Sequence, residues 1–105
     1  MRVLFAVALA ATVASPLQAA EVVVKTDYLA CNPERLFNYS ESIRSSGDEK
    51  KLKAFTAGAL LAGTCIVLKT GTAVLTEGEG KGPGIVKVRP KGSMIPFFTS
   101  GHAFE

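Results

Sequence analysis

The sequence predicts an α+β domain: a small β-barrel of about five strands with a helical hairpin inserted after the first strand. Three observations predict it. The stretch from Gly63 to Thr99 reads as four short strands separated by glycine turns. Glu21-Val22-Val23-Val24-Lys25-Thr26 is a β-branched run of high strand propensity. Between them lie two segments with helix starts and apolar residues at helical spacing.

Taken in order, Glu21 to Thr26 supplies the first strand and Asp27-Tyr28-Leu29-Ala30-Cys31 leads out of it. Asn32-Pro33-Glu34 is a helix start: asparagine can cap free N–H groups, proline suits the first helical position, and glutamate favours the positive end of the helix dipole. Leu36, Phe37, Ser40 and Ile43 then fall on one side, and the helix is expected to stop at Ser45-Ser46-Gly47. A second helix starts at Asp48, with Leu52 and Phe55, extended by Ala59, as its apolar stripe. Lys50, Lys51 and Lys53 read as its solvated face. Gly58 and Gly63 bracket a stretch where the helical pattern loosens, so the insertion is expected over about 32–60.

In the barrel segment Ile66, Leu68, Ala73 and Leu75 interleave with Cys65, Val67, Val74 and Thr76, leaving both faces fairly apolar, as a small closed barrel requires. Lys69-Thr70-Gly71-Thr72 and Pro90-Lys91-Gly92-Ser93 place glycine where a tight hairpin needs positive φ, so each is expected to join neighbouring strands. Glu77 to Gly84, with glycine at alternate positions, reads as a mobile spacer at a hairpin tip, since no phosphate-loop pattern or following helix accompanies it. In Ile85-Val86-Lys87-Val88-Arg89 the valines point one way and Lys87 and Arg89 point the other with Ile85, forming a small basic ridge. Ser93 to Thr99 is an aromatic strand, which Pro96 assigns to a sheet edge. Alternation puts Phe97 and Phe98 on opposite faces and leaves open which is inward.

Export follows from the N-terminus. Met1-Arg2 and the apolar run VLFAVALAATVA, ending at Ser15-Pro16 and small residues, form a secretory signal peptide over 1–19, cut after Ala19 with Ala20 as the rival. The run is too short for a transmembrane helix, which needs roughly 18 to 20 apolar residues. The single arginine and alanine-rich core have a bacterial look, which places the mature chain, a single domain over 20–105, in the periplasm or outside the cell. With 48% hydrophobic and 20% charged residues the chain is not disordered by composition. Without Arg2, 11 basic side chains stand against 9 acidic, a balance with no electrostatic demand for nucleic acid.

Cys31 and Cys65 are the only thiols, and in an exported chain an even count is read as a disulfide. Two alternatives fit less well. Tyr28-Leu29-Ala30-Cys31 superficially resembles a lipoprotein cleavage site, but Lys25 and Asp27 interrupt the apolar lead, and redox catalysis wants a CxxC pair. Catalytic signals are thin. His102 is the sole histidine, three residues from the end of the sequence, no serine or cysteine nucleophile has a visible base, and no cluster has zinc spacing. No cofactor, no metal and no enzymatic activity are therefore expected. Asn38-Tyr39-Ser40 matches a glycosylation sequon, read as coincidence on a bacterial helix.

From Leu61 to Phe104 the pattern resembles bacterial SH3-like (SH3b-type) domains. Val67-Leu68-Lys69-Thr70-Gly71-Thr72-Ala73-Val74 matches that family's first strand pair and Ile85-Val86-Lys87-Val88-Arg89 its next strand, followed by an aromatic hairpin. The chain departs from the family in having no tryptophan in the last hairpin, where Pro96-Phe97-Phe98 stands, and in placing two helices after the first strand. The resemblance implies an SH3-like barrel with a contact surface between the loop after the first strand and the final hairpin: Tyr28 on one side, Phe97 or Phe98 on the other, with Lys87 and Arg89 beside them to receive a carboxylate or phosphate. The expected function is a non-catalytic exported binding module touching cell-wall peptidoglycan or a periplasmic partner protein. The alternative is a secreted inhibitor or immunity-like protein that blocks another protein's site.

Overall fold

The β-branched start of the chain does form a strand, but it is one of six. A computed structural model describes residues 20–105; the expected signal peptide and its cleavage point after Ala19 lie outside the described residues. One antiparallel sheet runs in the order β1-β4-β5-β6-β2-β3, with β1 Ala20–Val23, β2 Tyr28–Cys31, β3 Cys65–Leu68, β4 Ala73–Glu79, β5 Ile85–Pro90 and β6 Phe97–Ser100. Helices α1 (Glu34–Ser46) and α2 (Glu49–Ala62) fill the connection from β2 to β3, and a short 3-10 helix, Gly101–Phe104, follows β6. Among the described residues no helix is long and apolar enough to cross a membrane.

The α+β class holds, while the five-stranded SH3-like barrel does not: the sheet has six strands and is not closed, with β1 and β3 at its edges. The helical pair follows the second strand, not the first. Two local causes account for this. After Val24 the Lys25 and Thr26 N–H groups both donate to the Ala103 carbonyl, at 2.8 and 3.1 Å, and Asp27 Oδ1 accepts from the Thr70 N–H and hydroxyl, each at 2.7 Å. These contacts bend the chain, so Tyr28–Cys31 begins a separate strand between β6 and β3 rather than a lead-out.

The second cause is turn chemistry. Thr72 N–H donates to the Lys69 carbonyl at 3.0 Å with Gly71 third in the turn at φ 91°. That is the arrangement of a type II turn, which splays its flanking strands where a hairpin turn would keep them paired. Accordingly β3 pairs with β2, while β4 pairs with β1 and β5. The expected Thr64–Lys69 and Thr72–Thr76 hairpin is absent. The Pro90–Ser93 turn does connect paired strands, β5 and β6, from Ile85 opposite Ser100 to Val88 opposite Phe97. Pro96 does not mark an edge: it precedes the first residue of β6, an interior strand, and removes no ladder bond.

Strand alternation divides the apolar residues between two layers. Val24, Ala30, Leu68, Val74, Val88 and Phe97 pack on one face of the sheet. Leu29, Cys31, Phe37, Ala59, Cys65 and Ile85 pack on the other, against the helices. As the sequence predicts, Cys31 and Cys65 form a disulfide; they are directly opposed across β2 and β3 and lie inside this second layer. The bridge clamps both ends of the helical excursion to the sheet.

α1 buries Phe37, Ser40 and Ile43, and the Ser40 hydroxyl is satisfied by donating to the Phe37 carbonyl at 2.8 Å. Pro33, not Asn32, stands at its N-cap; the Asn32 amide instead donates to the Pro96 carbonyl at 2.8 Å, tying the β5–β6 loop to the sheet. In α2 Asp48 caps as expected, accepting from Lys51 N–H at 3.0 Å. The helix continues through Gly58 to Ala62, so the inserted helices span 34–62 rather than about 32–60. Buried Ala59, packed against the sheet, holds that last turn in place.

Candidate binding groove

The first turn of α1 and the glycine segment meet through one carboxylate. Glu34 Oε1 accepts from Lys81 N–H at 3.0 Å and Oε2 from Gly82 N–H at 2.9 Å. These two N–H groups hold its carboxyl below the usual glutamate range. The approach demands glycine. A Cβ at Gly80 would lie 2.6 Å from Ile85 Cγ2 and 2.8 Å from Glu34 Oε2, and one at Gly82 would lie 2.9 Å from Ile85 Cδ1. Gly80 N–H further donates to the Ile85 carbonyl at 2.8 Å, and Gly101 N–H to the Gly84 carbonyl at 2.9 Å. The segment is thus tied to α1, to β5 and to the 3-10 helix, in contrast to the free spacer its composition suggests. A bulge in β4 between Thr76 and Glu79 adds one residue just before it.

Between α1, this loop and β6 lies an open groove of about 670 Å³, lined by Pro33, Arg35, Asn38, Lys81, Gly82 and Phe98 together with Glu34. Phe98 is partly buried and packs on the helix-side core layer. Lys87 stands opposite Phe98 across β5 and β6, on the same face. Among the described residues Arg35, Lys81 and Lys87 form no ion pair with a carboxylate.

The remaining expected site residues fall elsewhere. Phe97 belongs to the core layer with Val74 and Val88 and is 5% exposed, so it is the inward phenylalanine and lines no groove. Arg89 shares a face with Lys87, but Glu77 already occupies its guanidinium: Nε reaches Glu77 Oε2 at 2.7 Å and Nη2 reaches Oε1 at 3.1 Å. This bidentate contact lowers the Glu77 pKa and removes Arg89 as a free anion receiver. Tyr28 does not line the Phe98 groove. Its hydroxyl donates to Glu41 Oε1 at 3.2 Å, its ring tilts against Phe37, and the Arg44 guanidinium lies 5.2 Å from the ring centroid. Burial, then the Glu41 charge, pushes the Tyr28 pKa up.

Beyond Asn38, on the same side of α1, a second hollow of about 330 Å³ is lined by Asn38, Glu41, Gly84, Ser100, His102 and Glu105, among others. His102 Nδ1 contacts Glu105 Oε1 at 2.9 Å, an exposed pair that raises the histidine pKa. No group of three metal-ligating side chains occurs among the described residues. Compared with protein-family models, curated proteins and solved structures, the chain finds no match.

The expected surface is therefore only partly assembled. Phe98 and Lys87 come together, while Tyr28, Phe97 and Arg89 do not join them. Arg35, Asn38, Lys81 and the Glu34 clamp were not anticipated as site residues. Glycine at alternate positions was the one signal available, because tight alternation also accommodates a side chain pressed against the backbone.

Proposed function

We propose that this chain is an exported, non-catalytic binding module that takes its ligand in the groove between α1, the glycine loop and Phe98. One observation carries the reading. An aromatic side chain lies beside Arg35 and Lys81, which form no ion pair with a carboxylate among the described residues, whereas Arg89 on the same sheet face is fully engaged by Glu77. Aromatic platforms flanked by free cations suit ligands that combine a flat apolar part with negative charge. Export rests on the apolar leader and on the Cys31–Cys65 bridge. The non-catalytic reading rests on the sequence, where the sole histidine, His102, stands near the end with no nucleophile or zinc-spaced partner in view. The ligand class is cell-wall peptidoglycan. Co-sedimentation with purified sacculi tests it: the wild-type protein is retained and Phe98→Ala is released. Equal retention of both proteins, or turnover of wall fragments, refutes the reading.

A second reading, a secreted inhibitor or immunity-like protein, is favoured by a different observation. The β5–β6 loop presents Met94, 90% exposed, and Ile95, 47% exposed. It is braced from behind by the Asn32–Pro96 contact and by Ser93, whose hydroxyl donates to the Ile95 carbonyl at 2.8 Å. A braced apolar loop suits insertion into another protein's cleft. Stoichiometric capture of one periplasmic protein, lost in Met94→Asp and kept in Phe98→Ala, selects this reading over the first.

A further inference from the structure

The two edges of the sheet, β1 and β3, differ in what they leave open. At the end of β1 the Val24 N–H donates to the Thr72 carbonyl at 2.8 Å, while the next N–H, that of Lys25, points the other way, to the Ala103 carbonyl at 2.8 Å. In an antiparallel ladder this alternation runs back along the strand, so the main-chain groups of Ala20 and Val22 face β4 and those of Glu21 and Val23 face outward. Among the described residues no hydrogen bond reaches the Glu21 or Val23 backbone from that side. Ala20, Glu21 and Val23 are exposed, Val23 at 49%. At the other edge Cys65 is 1% exposed, so β3 offers no comparable run. An open edge of this kind is a template for another strand.

The register selects that strand. A second β1 laid antiparallel can set outward residues opposite each other in three ways. Glu21 against Glu21 places like charges side by side, which is unfavourable. Val23 against Val23 drives Glu21 of one copy into the place where the 3-10 helix of the other holds the Lys25 N–H. Glu21 against Val23 avoids both faults: the axis passes through Val22, and the pair on each side of it exchanges both main-chain hydrogen bonds. Ala20 then faces Val24 of the second copy, and one position further the Lys25 N–H is already taken by Ala103. The seam therefore ends where the mature chain is expected to begin, after a cut at Ala19.

We propose that the protein forms a two-fold dimer through β1, with Glu21 of each copy opposite Val23 of the other and the two sheets joined edge to edge. Val22 already packs against the layer of Val24, Val74 and Val88, and the seam extends that layer by bringing the two Val22 side chains together. Glu21 keeps its Lys91 partner at 3.1 Å, so no charge is stranded. The seam stands independently of the proposed groove, which lies at β6, three strands from β1. An axis perpendicular to the sheet leaves both helical layers on one side, so two such grooves would hold a repeating polymer at two points.

Sedimentation velocity on the exported mature protein reads the dimer, whose population should rise with concentration. Val23→Pro removes an outward N–H and no ladder bond, so it should keep the far-ultraviolet circular dichroism spectrum and lose the dimer. Two charge variants test the register and carry the test where the proline variant does not fold. Val23→Glu sets two carboxylates opposite each other, whereas Val23→Lys sets an ammonium opposite Glu21. The glutamate variant should dissociate about twofold to thirtyfold more readily than the lysine variant at low salt, and the difference should shrink at high salt. Equal dissociation of the two charge variants overturns the inference, as does a dimer that survives Val23→Pro. So does a wild-type protein that stays monomeric up to about 1 mM, which would leave the edge to a strand of another protein.

Discussion

Reducing the Cys31–Cys65 bridge should cost this domain about 4 kcal/mol of stability. The bridge closes a loop with a sequence separation of 34 that contains both helices. In the chain-entropy account a loop of this length, left open in the unfolded state, removes about 4 kcal/mol from the folding free energy. At roughly 0.05–0.15 kcal/mol per residue, a domain of about 86 residues has a net stability of about 4–13 kcal/mol. The reduced protein is therefore left with between about 0 and 9 kcal/mol, unfolded at the lower end of that range. Without the covalent tie, what holds α1 and α2 to the sheet is the layer formed by Leu29, Phe37, Ala59 and Ile85. The measurement is urea unfolding followed by far-ultraviolet circular dichroism, with and without a phosphine reductant, with thiols counted by mass after alkylation. For slopes of about 1–2 kcal/mol per M the midpoint should fall by about 2–4 M, or the reduced chain should lack a folded baseline. Two alkylated thiols with an unchanged midpoint would refute the reasoning, since the sheet and helices would then be carrying the loop unaided.

Three further outcomes are expected. Phe97→Ala empties a buried position and should cost about 3–5 kcal/mol, while Phe98→Ala, already partly in solvent, should cost about 1–2 kcal/mol and abolish sacculus retention; equal costs in urea unfolding would contradict the assignment of faces. Gly80→Ala should destabilise by about 1–3 kcal/mol through contact with Ile85 and Glu34, read as a lower melting temperature, although its φ is not in the left-handed region; an unchanged melting temperature counts against the close approach. Because the Glu34 pKa is depressed in the fold, its contribution is complete above the ordinary glutamate range and is lost as pH falls through the depressed folded value. The Lys81 and Gly82 amide resonances should therefore titrate together below the ordinary glutamate range and stop doing so in Glu34→Gln.

Local signals sufficed where an element's identity depends on its own residues. The capping Asp48, the apolar spacing of Phe37, Ser40 and Ile43, the strand character of Glu21–Val24, Cys65–Leu68 and Ile85–Arg89, and the cysteine pair could all be read along the chain. The opposed faces of Val88 and Arg89 could be read as well, because a strand's side-chain period is two whatever it pairs with. Pairing partners could not. Whether β3 meets β4 depends on a turn whose glycine supports either a hairpin or a splayed connection, and the Asp27–Thr70 contact, joining residues 43 apart, accompanies the second outcome. Phe97 and Phe98 are interchangeable in the sequence, and only packing against Val74 and Val88 decides which is inward. Arg89 looked available because Glu77, twelve positions earlier, reaches it only across the β4–β5 ladder. Helix starts, strand faces and a disulfide count are properties of neighbouring residues, whereas pairing order, free charge and the groove beside Phe98 arise from residues brought together by long-range contacts, whose geometry no local pattern encodes.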